Sequence, residues 1–343
     1  MNQTSPPIVE VRDLCRLFGT LHAVDTVSFT LQTGQVIGLI GANGAGKTTL
    51  MRMLATLDQP TTGSISILGA DAILHPELIR HRIGWMPDDF NVYSNTTVRD
   101  YLDFFARAYG LKGLRMRQKM SPLIDFFARA YGLKGHTRRE TVARLMEFTG
   151  IPDLADRFID KLSKGQKQKL GLARMLVGDP ELLILDEPAA GLDPKARLEF
   201  KQHIHDLANQ GKTILISSHI LSELSEMCSD LIFMDNGKII RSGTQEDLLQ
   251  TASAVTEILI RCIGDPQLLV EWLKNREGWN NITPLPQGAS AVCSMDSDEA
   301  LSRELRELCL ALPILEFTPR RRNLEEAFVS ILSGNLPPIP SQA

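Results

Sequence analysis

The apolar-rich Ile8–Val11 reads as a strand, and polar and apolar residues then alternate through Val27, Phe29 and Leu31, the period of two expected of a half-buried strand. From Gln35 to Ile40 the chain turns continuously apolar and runs into a glycine-rich turn, and the spacing beyond it predicts a helix from about Lys47 to Leu57. Three further apolar runs, Leu182–Leu185, Thr213–Ser217 and Leu231–Met234, read as strands. Asn236–Gly237 makes a hairpin into Lys238–Ile240. Strands apolar on both faces belong in a mostly parallel sheet covered by helices. The middle of the chain, about residues 95–178, has helical spacing and few strand runs.

After Gly243 the pattern changes. Strands at Thr256–Ile263, Ser290–Met295 and Ile314–Thr318 alternate with helices at Pro266–Arg276, Asp298–Leu312 and Asn323–Leu332, which predicts a small ferredoxin-like α+β module. The expected boundaries are therefore residues 1–245 for a first domain, with its helical part at about 90–178, and 250–334 for a second. Residues 335–343, in the proline-rich end NLPPIPSQA, are expected to be disordered. One string, DFFARAYGLKG, stands at Asp103–Gly113 and again unchanged at Asp125–Gly135, an offset of 22 residues (125 minus 103). A helix absorbs that offset in about six turns, but the Gly-Leu-Lys-Gly closing each copy favours a break. It reads as a segmental duplication without a function legible in the sequence.

Composition narrows the picture. At 343 residues, 43% hydrophobic and 23% charged, the chain is of soluble globular type and long enough for two domains, which excludes disorder and fibrous repeats. A net charge of −4 leaves no broad footprint for nucleic acid, which is not an expected partner. The cysteines Cys15, Cys228, Cys262, Cys293 and Cys309 are odd in number and scattered, so they read as buried apolar residues. No stretch approaches the roughly 20 apolar residues that cross a bilayer. The opening MNQTSPPIVEVRD lacks the regions of a signal peptide, so a cytoplasmic location is expected.

The chemistry is concentrated in two segments. Gly41-Ala-Asn43-Gly44-Ala-Gly46-Lys47-Thr48 fits G-x-x-x-x-G-K-[ST] and lies between a predicted strand and a predicted helix, as a phosphate cradle requires. Its glycines let backbone N–H groups close on phosphate oxygens, Lys47 reaches the β and γ phosphates, and Thr48 offers its hydroxyl to magnesium, with Thr49 beside it. The second is Leu182–Leu185 followed by Asp186 and Glu187. An acid at the carboxyl end of a buried strand sits where open α/β sheets bind ligands, so Asp186 is the magnesium-side residue and Glu187 the group that activates water.

With these in place, the chain resembles the ATP-binding subunits of ABC transporters over about residues 8–243, because the remaining family motifs follow in order. Leu162-Ser163-Lys164-Gly165-Gln166 resembles the signature L-S-G-G-Q, with Lys164 in place of the commonest glycine and expected to project outward. Gly191-Leu192-Asp193-Pro194 resembles the D-loop and His219 the switch histidine. Phe18 sits where the family stacks an aromatic on adenine, with core packing the alternative, and Asp88 stands where it usually carries glutamine.

The resemblance implies an α/β P-loop fold with an antiparallel β subdomain and a helical insert, ATP and Mg2+ as cofactors, and Asp88 near the metal. It also implies a dimer, most simply a homodimer, in which Ser163, Gly165 and Gln166 of one copy, with Asp193, close over the nucleotide of the other. The membrane-spanning permease is then a separately encoded polypeptide on whose inner face the chain sits. Phe90, Val92, Tyr93 and the segment Tyr101–Tyr109 are the expected apolar seat for that partner, core packing being the alternative. The end Asn323-Leu-Glu-Glu-Ala-Phe328 resembles exporter ATPases of the drug, sodium and antibiotic kind. A non-transport ATPase acting on ribosomes or DNA is the competing reading, although such relatives fuse two cassettes or insert long coiled coils. A small-molecule kinase sharing the cradle has no need of the 162–166 and 191–194 segments.

Overall fold

The computed structural model describes residues 6–88, 95–109, 136–252, 256–293 and 297–320. Phe90, Val92, Tyr93, the second copy of the repeat, and the expected 323–332 helix and 335–343 tail lie outside them. Two compact units divide at Gly243–Thr244.

The first unit contains two sheets. One has the order β2-β1-β4-β5, from β1 (Val9–Phe18), β2 (Leu21–Leu31), β4 (Thr62–Ile67) and β5 (Ala70–Asp71), with antiparallel neighbours throughout. The other has the order β10-β9-β3-β8-β7-β6, from β3 (Val36–Ile40), β6 (Ile83–Met86), β7 (Leu182–Leu185), β8 (Thr213–Ser218), β9 (Asp230–Asp235) and β10 (Lys238–Thr244). Its pairs β9/β3, β3/β8, β8/β7 and β7/β6 are parallel. Every residue of β3, β7 and β8 is buried, which accounts for their continuous apolar runs.

Helix α1 (Lys47–Leu54) buries Leu50, Met51, Met53 and Leu54 in one core with Val9, Val11 and Ile65 of the first sheet and Ile37, Leu39, Ile184 and Leu215 of the second. Each such side chain contributes about 1.5–3 kcal/mol of transfer free energy, so the helix that carries the cradle is anchored to both sheets. It ends three residues earlier than the spacing predicts, because Thr56 takes a left-handed φ of 57°.

Helices α2 (Val98–Ala108), α3 (His136–Phe148) and α4 (Lys164–Leu176) pack on one another. Within the segment expected to seat a partner, Tyr101, Leu102 and Ala106 are instead core residues, while Phe104 is 37% exposed. Helix α5 (Pro194–Asn209) and the short α6 (Leu221–Ser225) flank β8.

The second unit opens with α7 (Gln245–Ala252) and continues β11 (Thr256–Cys262), α8 (Pro266–Lys274), β12 (Trp279–Leu285), β13 (Gly288–Cys293), α9 (Asp298–Ala311) and β14 (Ile314–Arg320). The sheet order β12-β13-β11-β14, antiparallel throughout, is the ferredoxin-like arrangement. Its core joins Ile258 and Ile260 to Leu269, Leu273, Trp279 and Leu308. The cysteines correct the sequence reading: Cys228, Cys262 and Cys293 are buried, but Cys15 is half-buried and Cys309 exposed.

Candidate functional site

Between β3 and α1 the glycines are dictated by close approach. A Cβ on Gly41 would stand 2.2 Å from the carbonyl oxygen of Met234, and one on Gly46, at φ 100°, 2.2 Å from that of Ala23. The loop is pressed against β9 and β2 at backbone distance, where no side chain fits. Beyond it, the unpaired N–H groups and positive dipole end of α1 favour an anion. Lys47, 6% exposed, donates through Nζ to the carbonyls of Gly41 at 2.8 Å and Ala42 at 3.3 Å.

A cleft of 620 Å³ opens over this loop, lined by residues 43–49 with Phe18, Leu21, His22, Ala23, Asp88, Glu187 and Asn236. That volume suits a nucleotide-sized ligand. Phe18 is 47% exposed, with the Arg16 guanidinium 4.5 Å from the centre of its ring, so it forms part of the wall and not of the core. The sequence reading missed Leu21, His22, Ala23 and Asn236. Two signals marked them: Leu21 is an exposed apolar residue two positions after Gly19, and Asn236 belongs to a hairpin whose Gly237 N–H donates to Ala45 O at 3.0 Å.

The carboxylates take different stations. Asp186 is 2% exposed and does not line the cleft; its Oδ1 accepts from Ser217 Oγ at 2.6 Å. Ser217 Oγ in turn accepts from Glu187 N–H at 2.9 Å, and Glu187 adopts φ 47°. This turn aims the Glu187 carboxylate into the cleft. There Oε1 lies 3.4 Å from Lys47 Nζ and Oε2 lies 2.8 Å from His219 Nδ1. Oε1 is buried without a hydrogen-bond donor, as befits an oxygen facing a ligand position. Phosphate cradle, carboxylate and histidine are thus brought together.

The signature segment stands elsewhere. Ser163 caps α4: its Oγ accepts from Gln166 N–H at 3.3 Å while Gln166 Oε1 accepts from Ser163 N–H at 3.0 Å, a reciprocal box that leaves the Ser163 hydroxyl proton available to donate. Asp193 caps α5, its Oδ1 accepting from Ala196 N–H at 2.9 Å. None of Ser163, Gly165, Gln166 and Asp193 lines the cleft of its own chain. The two segments touch each other instead, a Cβ on Gly165 falling 3.4 Å from that of Ala196 and 3.8 Å from Leu192 Cδ2. Lys164 is exposed, as expected, and its side chain lies over Gly191.

Residues 24–190 match the family model described as "ABC transporter". Among curated proteins, the Nod factor export ATP-binding protein I of Ralstonia nicotianae is 31% identical over 336 residues, covering 95% of this chain and 94% of its own length. The "Probable multidrug ABC transporter ATP-binding protein YbhF" of Escherichia coli K12 is 36% identical over 241 residues, 70% of this chain, which spans only 38% of that protein. A solved ATP-binding subunit of an ABC transporter, 27% identical, superposes with a TM-score of 0.59 over 71% of this chain and 92% of its own. Cleft, cradle, carboxylate pair and relatives agree: this chain belongs to the ABC transporter family and has its ATP-binding cassette fold.

Proposed function

We propose that the chain is the ATP-hydrolysing motor of an export system, working on the cytoplasmic face of the membrane through a separately encoded membrane-spanning permease. The observation that carries the motor reading is the meeting of Lys47 and Glu187 in one cleft at the cradle, with His219 hydrogen-bonded to the Glu187 carboxylate. Export is supported by the near full-length match to a protein named for Nod factor export, which extends through the second unit. Among the described residues no helix is long and apolar enough to cross a membrane.

Mg2+ is the metal implied, and the donors suit it. Thr48 and Asp88 line the cleft and would hold the ion, to which Asp186, hydrogen-bonded to Ser217, would contribute through water. Among the described residues no three acidic, histidine or cysteine side chains cluster, in keeping with an ion held by few protein oxygens and by phosphate. The ion, when bound, neutralises phosphate charge. Lys47 and the loop amides hold the β and γ phosphates, Phe18 supports the base, and Glu187 takes a proton from the attacking water. His219, hydrogen-bonded to Glu187, orients that carboxylate.

Ser163, Gly165, Gln166 and Asp193 act on the nucleotide of a second copy. Support comes from their place outside the lining of their own chain's cleft and from the free proton of Ser163 at a helix N-terminus. ATP then holds two copies together and hydrolysis releases them.

The test is ATP turnover by the full chain with and without the membrane protein encoded beside it. Stimulation by that protein, lost in Glu187→Gln, is expected. Turnover that ignores it and rises instead with ribosomes or DNA overturns the export reading.

A further inference from the structure

Glu223, on α6, is a buried carboxylate to which the mechanism above gives no work. Its side chain is 3% exposed. Burying a carboxylate costs several kcal/mol unless its oxygens are partnered, so the partners show what the charge holds in place. One oxygen, Oε2, accepts from Ser218 Oγ at 3.0 Å. The other lies 3.2 Å from Arg197 Nη2, as an ion pair without an aligned hydrogen bond.

Both partners lead to functional segments. Ser218 Oγ also accepts from Ile220 N–H at 3.0 Å, so one hydroxyl spans the turn whose central residue is His219. Arg197 lies on the first turn of α5, its N–H donating to the carbonyl of Asp193 at 3.0 Å. The neighbouring Ser217 is engaged with Asp186 and Glu187, on the opposite side of the same strand end. The last two residues of β8 therefore divide the work: Ser217 fixes the two acids, and Ser218 fixes the histidine turn by way of Glu223.

We propose that Glu223 is a positioning residue for ATP hydrolysis: its carboxylate, shared between Ser218 and Arg197, holds the turn that keeps His219 at hydrogen-bond distance from Glu187 and ties that turn to the helix capped by Asp193. The inference rests on the reading of Glu187 and His219 as the hydrolytic pair. His219 is 43% exposed at its side chain, so burial alone does not fix it. A misplacement of about 1 Å at a catalytic group costs up to about 100-fold in rate, so the fixing carboxylate is felt in turnover, not in nucleotide affinity.

The experiment measures kcat and KM for ATP, together with equilibrium ATP affinity, on the full chain carrying Glu223→Ala, Glu223→Gln, Arg197→Met, His219→Ala, Glu187→Gln and the double substitution His219→Ala/Glu223→Ala. Glu223→Ala is expected to lower kcat by about tenfold or more with KM and affinity within about twofold. Glu223→Gln, which keeps an acceptor for Ser218, is expected to fall between it and wild type. The double variant is expected to match His219→Ala, because a residue acting through the histidine has nothing left to position. Should Glu223→Ala fail to fold, Arg197→Met gives the test, since its side chain is 44% exposed; a several-fold loss confined to kcat is expected. Wild-type kcat in the folded Glu223 variants, or losses that add in full to those of His219→Ala, overturns the proposal. Wild-type turnover in His219→Ala and Glu187→Gln overturns the hydrolytic pair itself, and the two failures are thereby distinguished.

Discussion

The Lys164 side chain occupies the space over Gly191: a Cβ placed on Gly191 would stand 2.8 Å from Lys164 Nζ and 3.5 Å from its Cδ and Cε. Gly191 also adopts φ 68°, a left-handed conformation that costs a side-chain-bearing residue about 1–2 kcal/mol. Two penalties thus fall on Gly191→Ala, and they separate cleanly. The close atoms are the far end of a flexible side chain that swings away at small cost, whereas the backbone penalty stays. Gly191→Ala is expected to lose about 1–2 kcal/mol of stability. Adding Lys164→Ala should return only a few tenths, as read by denaturant titration of both variants. Full recovery in the double variant would assign the penalty to the lysine and not to φ.

Glu187→Gln removes the proton acceptor and leaves Lys47 and the cradle intact. ATP affinity is expected to change little, while single-turnover hydrolysis falls by about 10²–10⁴-fold and an ATP-stabilised dimer accumulates on gel filtration. Hydrolysis at the wild-type rate would remove Glu187 from the chemistry.

Much of this was legible in the residues. The cradle, the acid pair and the helix after Ser163 each combine a strand or helix signal with a fixed motif, and all three stand where the pattern put them. Strands β4, β6 and β12 were not anticipated. The run TGSISI of β4 has only two buried residues, and WNNITPL of β12 buries only Trp279, too little apolar contrast to read as strand. Leu21 and Asn236 escaped because a cleft wall is assembled from distant turns and carries no local motif. The approach of Lys164 to Gly191 escaped as well, since the neighbour of a side chain at a helix start depends on which distant loop packs beside it.

Arg82 and Glu181 form a two-pronged pair at the entry of β6 and β7, with Nε to Oε1 at 2.5 Å and Nη2 to Oε2 at 2.7 Å. The hydrogen bond from Arg82 holds the Glu181 carboxyl below its ordinary value. A depressed carboxyl stabilises the fold at pH above its unfolded value of about 4.3 and loses that contribution as pH falls through the folded value. Because the Glu181 side chain is 48% exposed, Glu181→Gln is expected to cost no more than about 1 kcal/mol at pH 7. The difference from wild type should close at acid pH. Urea melts at pH 7, 4 and 3 check it; a gap that widens on acidification contradicts the pairing.

Thiol reactivity reports packing directly. Burial pushes the Cys228 thiol well up from its ordinary value, and its Sγ lies close against Gly38, 3.2 Å from where a Cβ would be. Cys309 is exposed. Only the thiolate reacts, so a maleimide or disulfide reagent at pH 8 is expected to modify Cys309 first and Cys228 only on unfolding, as peptide mapping after graded times will show. Early modification of Cys228 would mean that β3 and the residues behind it open far below the global unfolding free energy.

The repeat offers the last test. In its first copy Asp103 pairs with Arg107 and Arg138, Phe105 stacks edge-on against Tyr101 beneath Arg174, and Tyr109 closes on Gly178, whose Cβ would fall 2.8 Å from the ring. Those contacts need one DFFARAYGLKG string, and the chain carries two. Deleting residues 114–135 joins the first copy to His136; deleting residues 103–124 instead yields the identical polypeptide, because the copies are identical. Every residue of the contacts named above is retained in that chain. It is expected to fold with a melting temperature within a few degrees of wild type, since the contacts named above keep all their residues, and to keep basal ATP turnover within about twofold. A shortened chain that hydrolyses normally but no longer responds to its membrane partner would assign the 22 additional residues to that contact. A shortened chain that fails to fold would show that the helical part depends on both copies.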